Sequence, residues 1–192
     1  MSNIILASSS PARAALLKRI GLTFTIAPPH IDETPYPNEN PYEMALRLAP
    51  AKAQAVASQH PDSLIIGSDL VAVFNGQITS KPETKEQARQ QLQHGSGQSA
   101  VFYTAVTLLN SATNHCQTAV EKTTVYFRNL SDNMIENYIE KDSPIGCGGS
   151  FRVESLGITL FDRIESNDPT ALIGLPLMTL TKMLEKEGFH VI

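Results

Sequence analysis

The chain is 192 residues long, enough for one domain with a substantial core, and its 42% hydrophobic and 18% charged residues exclude a disordered or fibrous polymer. Fifteen Lys and Arg against nineteen Asp and Glu leave a formal net charge of -4 and no tryptophan, which argues against a polymeric nucleic-acid partner while permitting a small phosphorylated ligand in a locally basic cleft. Two cysteines, Cys116 and Cys147, make neither a disulfide framework nor a thiolate zinc site, and with no signal-peptide pattern or membrane-length apolar run a cytoplasmic protein without a membrane partner is expected.

In chain order, Ile4, Ile5, Leu6 and Ala7 read as a buried strand that gives way to Ser8, Ser9, Ser10 and Pro11. An apolar-rich helix over residues 12–20 follows, closed by Gly21. Serine at the N-cap, proline at the first helical position and glycine past the end are the signals of strand, turn and helix. A strand over 23–27 enters a loop over 28–41 that holds five prolines. Residues 42–58 have helical spacing, but Pro50 removes a backbone donor and predicts a kink or break, with Lys52 in the second part.

Residues 64–74 form the next apolar strand, interrupted by Asp69, and Asn75-Gly76 is a turn signal. A helix over 83–93 follows, then two runs rich in Val, Thr and Tyr, 99–109 and 117–127, that read as an antiparallel pair. Ser131 caps a helix that buries Ile135, Tyr138 and Ile139. A glycine-rich segment over 146–151, strand-like residues over 157–164 and a final helix from Pro176, burying Leu177, Leu180 and Leu184, complete an α/β chain without internal repeats.

Candidate chemistry begins at the serine-rich turn. A helix start offers free amides and the positive end of the macrodipole, Ser8, Ser9 and Ser10 add hydroxyls, and Arg13 can add a bidentate contact to phosphate oxygens. The same residues also fit a simple serine cap with a surface arginine. Asp69 is costly to bury alone, so it is either hydrogen-bonded structurally or faces a cleft, where it can bind a divalent ion or take a proton from water. Lys52 and Lys81 are cations on either side of it in sequence, each equally readable as a solvated lysine, and Glu33 offers another carboxylate. The templates HExxH, CxxC, the Walker loop and GxGxxG are absent, and Cys147 has no identifiable base.

Taken together, ILASSSPARAALL at the N-terminus, DET at 32–34, LRLAPAKA at 46–53, LIIGSD at 64–69, TSKP at 79–82, FYTAV at 102–106, GGSFRVES at 148–155 and LIGLPL at 172–177 resemble the Maf nucleotide pyrophosphatases across essentially the whole chain. Within that family GSFRVES with Glu154, the DETP loop and ITLFDRIE at 158–165 are most similar to the 7-methyl-GTP pyrophosphatase branch.

The resemblance implies a Maf/ITPase-like α/β fold in a single domain over 1–192, with a mixed central sheet, flanking helices and two lobes around a deep cleft. It implies hydrolysis of the bond between the α and β phosphates of a nucleoside triphosphate with Mg2+ or Mn2+, and a homodimer. It places phosphate contacts at Ser8, Ser9, Ser10, Arg13, Lys52 and Lys81, the catalytic aspartate at Asp69 as base or metal ligand, a loop metal ligand at Glu33, and base selection at Glu154.

The sequence departs from the pattern at three positions. Ala14 stands where the family commonly has a second arginine. Ala12 and Leu70 stand where the branch has tryptophan and glutamine, so a stacking surface and a polar contact are missing from the specificity positions. A pyrophosphatase selective for pyrimidine or other modified nucleotides, or a weakly catalytic nucleotide-binding regulator, are the alternatives these departures leave open.

Overall fold

The computed structural model of the protein describes residues 3–192. The described residues form a mixed sheet of seven strands: β1 (Asn3–Leu6), β2 (Thr25–Ile26), β3 (Ser63–Phe74), β4 (Gln77–Thr79), β5 (Ser99–Asn110), β6 (His115–Phe127) and β7 (Phe161–Glu165). The order is β2-β1-β3-β5-β6-β7, with β4 paired to β3. β1 is parallel to both β2 and β3, whereas β3 with β4 and β6 with β7 are antiparallel. Five helices flank it: α1 (Pro11–Arg19), α2 (Pro41–Ala57), α3 (Lys85–Gly95), α4 (Asp132–Asp142) and α5 (Leu177–Lys186).

The chain divides into two compact units. The first comprises the described part of Met1–Leu70 with Thr104–Glu121 and Asp168–Ile192. Its parallel strands are buried on both faces, which is why β1 and the start of β3 read as unbroken apolar runs. Ile4 and Leu6 of β1 and Leu64 and Ile66 of β3 pack with Leu16 and Leu17 of α1 and Leu180 and Leu184 of α5. The alternate residues Ile5, Ala7 and Ile65 pack with Ala53 and Val56 of α2.

Helix α2 continues through Pro50, so the helix is not broken there. Buried Ala45, Leu48 and Ala49 before the proline and Ala53 and Val56 after it hold both halves to one surface. That packing outweighs the loss of one backbone donor.

The second unit comprises Val71–Tyr103 and Lys122–Asn167. Phe102, Phe127, Phe151 and Phe161 form edge-to-face pairs in its core. Ala88 and Leu92 of α3 and Ile135 and Ile139 of α4 are buried in the same unit. The strand expected over 157–164 is a 3-10 turn at Leu156–Leu160 before β7 begins. Gly157 and the exposed Ile158 break the alternation that a strand needs.

Candidate active site

In the first unit the site begins where β3 meets α2. Gly67 lies so close to the helix that a Cβ there would stand 2.2 Å from the Ala49 carbonyl oxygen and 2.9 Å from the Ala53 amide nitrogen. Only glycine lets the strand lie directly on the helix backbone. Two residues further along the same face comes Asp69, and one residue before Ala53 on the helix comes Lys52. Close backbone approach therefore brings a buried lysine against a buried aspartate: Lys52 Nζ lies 2.6 Å from Asp69 Oδ1 and 3.0 Å from Glu33 Oε2. Each charge satisfies what burial alone would make costly in the other.

Arg13 is half-buried in the first turn of α1. Its Nε donates to the Gly174 carbonyl at 2.8 Å and its Nη1 to Ser8 Oγ at 3.2 Å. Ser68, on the face of β3 opposite Asp69, has its Oγ 2.8 Å from the same Gly174 carbonyl and 2.7 Å from that of Ala105. Gly174 adopts a φ of 116°, and a Cβ there would meet Arg13 Nε at 3.4 Å, so a side chain is disfavoured by conformation and by space. Burial pulls the Arg13 guanidinium down from its ordinary pKa, while the charges of Asp69 and Glu33 act in the opposite direction. An arginine remains a cation at neutral pH under such shifts, and the three charges belong to one electrostatic cluster.

The serine turn is more selective as an anion cradle than its sequence suggests. Ser8 Oγ accepts from the Ser10 amide at 3.1 Å as well as from Arg13, which leaves its hydroxyl proton to donate. Ser10 is the N-cap, its Oγ accepting from the Arg13 amide, and the Ala14 amide bonds to the Ser10 carbonyl. Pro11 has no N–H, so the Ala12 amide is what the first turn has left to offer. Ser9 is exposed. Ala14 belongs to the apolar core, which leaves Arg13 as the guanidinium of this turn. Ala12 and Leu70 are both half-buried.

Glu33 reaches Lys52 from an otherwise exposed loop that α2 holds in place. Arg47 Nε and Nη2 grip the two Glu39 carboxylate oxygens at 2.6 and 2.7 Å, Nη2 donates to the Thr34 carbonyl at 3.3 Å, and the guanidinium carbon stacks 4.0 Å from the Tyr36 ring centroid. Asp32 closes a turn of its own, accepting from the Thr34 amide.

The other two expected site residues, Lys81 and Glu154, belong to the second unit and are exposed. The backbone around Lys81 is anchored: Ser80 accepts from Gln91 Nε2 at 2.9 Å and Pro82 from the Gly146 amide at 2.8 Å. Glu154 Oε1 lies 3.6 Å from Arg152 Nε. Burial pushes the Cys147 thiol up, with Arg152 and Lys81 opposing and Glu154 and Asp142 reinforcing, so this cysteine is not an activated nucleophile.

Among the described residues no three His, Cys, Asp or Glu side chains form a metal cage. Asp69 and Glu33, converging on one ammonium, supply two hard oxygen donors instead. That donor set fits a cation such as Mg2+, which typically takes one or two carboxylates and completes its shell with substrate phosphates and water.

A family model described as Maf-like protein matches residues 3–187. The chain belongs to the Maf family. It is 49% identical over 189 residues to a 7-methyl-GTP pyrophosphatase of Nitrosococcus oceani, covering 98% of this chain and 95% of that relative. A solved HAM1 protein from Coxiella burnetii shares the fold at a TM-score of 0.53 and 16% identity, covering 97% of this chain and 100% of that one. Arg13, Glu33, Lys52 and Asp69, singled out from the sequence, lie in one cluster. Not foreseen were Gly174, whose carbonyl fixes Arg13 and also takes the Ser68 hydroxyl, and Arg47 with Glu39, which hold the Glu33 loop. Gly174, inside the LIGLPL motif, carried no local sign of that contact, whereas Arg47, in the same motif as Lys52, was in view.

Proposed function

We propose that the protein is a cytoplasmic nucleoside triphosphate pyrophosphatase that cleaves the α-β phosphoanhydride bond, with 7-methyl-GTP as its substrate. The observation that carries the reading is the cluster of Lys52, Asp69 and Glu33 with Arg13, in a chain 49% identical over 189 residues to a 7-methyl-GTP pyrophosphatase. Among the described residues no helix is long and apolar enough to cross a membrane.

In this mechanism Arg13, the Ser8 hydroxyl and the Ala12 amide hold phosphate oxygens, and Lys52 and Lys81 add positive charge. Asp69 Oδ1 is engaged by Lys52, so Oδ2 is the oxygen left to hold a divalent cation or accept the proton of the attacking water. Glu33 is the second carboxylate of the cation site, and a bound Mg2+ or Mn2+ supplies charge neutralisation on the phosphates. Water adds to the α phosphorus, its proton passes to base, and the α-β bond breaks with pyrophosphate as leaving group. Glu154 accepts hydrogen bonds from the guanine edge and favours the positive charge of an N7-methylated base.

Pyrophosphate release, with product identification, across 7-methyl-GTP, GTP, UTP and dTTP tests the reading. We expect metal-dependent release favouring 7-methyl-GTP, and a loss of about a hundredfold or more in kcat for Asp69→Asn. Near-normal release by that variant removes Asp69 from the mechanism. A preference for UTP or dTTP would instead make this a pyrimidine-selective Maf enzyme, the reading that the missing ring at Ala12 and the apolar Leu70 leave open.

A further inference from the structure

The segment carrying Glu154 is tied down by residues that have no place in the mechanism above. Arg152 accepts at its carbonyl from the Ser155 amide at 3.1 Å and the Gly157 amide at 3.0 Å, closing a tight turn with Glu154 inside it. Two side chains of α4 hold this turn from below. Tyr138 OH accepts from the Arg152 amide at 3.0 Å, and Asp142 Oδ1 accepts from Ser155 Oγ at 2.5 Å. One helical turn separates Tyr138 from Asp142, so both lie on the same face of α4.

Asp142 is an expensive residue for its position. It is only 6% exposed, and its Oδ2 meets no hydrogen-bond partner among the described residues. It also ends α4, where the helix dipole disfavours negative charge. An apolar residue would fill that place at lower cost to stability. What the carboxyl gains is the bond from Ser155, next to Glu154, and the hydroxyl of Tyr138, which ties the two anchors of the turn to each other.

We propose that Tyr138, Asp142 and Ser155 are positioning residues for base selection, holding the Arg152–Glu154 turn so that the Glu154 carboxylate meets the nucleobase in one orientation. The inference rests on the proposed role of Glu154. Loss of either anchor lets the turn move, so Glu154 recognises the methylated base less well while phosphate chemistry is untouched. The signature is a changed ratio between substrates rather than a general loss of rate.

The test measures kcat/KM for 7-methyl-GTP and for GTP in the wild-type protein, Glu154→Gln, Ser155→Ala, Tyr138→Phe and Asp142→Asn, with Ser155→Ala also made in the Glu154→Gln background. Ser155→Ala and Tyr138→Phe should each reduce the 7-methyl-GTP to GTP ratio by about fivefold, the size of one net hydrogen bond, through KM for 7-methyl-GTP and with kcat for GTP within about twofold. Asp142→Asn retains an acceptor for Ser155 and should preserve the ratio within about twofold. Ser155→Ala should change nothing further once Glu154 is Gln. A ratio that falls in Glu154→Gln but not in Ser155→Ala or Tyr138→Phe overturns this inference alone. A ratio unmoved in Glu154→Gln overturns the role of Glu154 and the inference with it. Should Ser155→Ala fail to fold, Tyr138→Phe, which keeps its ring in the core, supports the same comparison.

Discussion

Lys52 is the residue on which the charge balance of the site turns. The side chain of Asp69 is 8% exposed and that of Glu33 is 48% exposed, so the two carboxylates depend on the lysine to different extents. Lys52→Met should cost about 3–5 kcal/mol, because it leaves the Asp69 carboxylate buried without a cation, whereas Asp69→Asn keeps Glu33 as a partner for the lysine and should cost less. Urea denaturation of the two variants checks the order; equal losses would show that Glu33 does not compensate Lys52 once Asp69 is neutral. Gly67→Ala tests what brings the pair together. With Ala49 O 2.2 Å from the new methyl group, the helix backbone has to shift, and a loss of about 3 kcal/mol or more in the same measurement is expected. Asp69 was legible because a carboxylate in an apolar strand demands an explanation. The anchoring of Arg13 by Gly174 was not, because the bond joins residues 161 positions apart and one partner is a backbone carbonyl.

At the scale of elements, an arginine and a lysine of α2 hold the Glu33 loop. Residues 32–38 are exposed and are tied to the helix by polar contacts from Arg47 and Lys52, so few buried apolar groups order them. Lysine in place of Arg47 keeps the charge but loses the two-pronged grip on Glu39 and the stacking on Tyr36. Arg47→Lys should therefore make the loop a faster target for limited proteolysis and lower pyrophosphate release by about tenfold, with global stability changed by less than about 1 kcal/mol. Unchanged loop cleavage would show that the prolines suffice to order it. The elements themselves were read well wherever local pattern decides them, as at the Ser10 cap and Pro11 of α1. Packing overrides the local signal at Pro50, which stays within a helix because both halves of α2 bury alanines, whereas the strand expected over 157–164 starts only at Phe161 because Gly157 and the exposed Ile158 interrupt its alternation.

For the molecule as a whole, composition bounded the size, class and net charge, but not the pairing that closes the first unit. That pairing includes Glu187 at the end of α5, whose carboxylate accepts from Asn110 Nδ2 at 2.8 Å, Gln117 Nε2 at 3.0 Å and His115 Nδ1 at 2.5 Å. Burial raises the Glu187 pKa, but the donors together outweigh it and hold the carboxyl below the usual glutamate value. A depressed folded-state pKa means that the unfolded chain binds the proton more readily than the folded one. The stabilisation is therefore fully present above the unfolded pKa of about 4.3 and is lost as pH falls through the lower folded value. Glu187→Gln removes this dependence while keeping a side chain of similar size. The stability difference between the wild-type protein and Glu187→Gln, measured by urea denaturation at intervals from pH 7 to pH 3, should shrink as pH falls below about 5. A difference that stays constant through the acid range would mean that the Glu187 contacts contribute equally in both protonation states, and that acid sensitivity arises from other carboxylates.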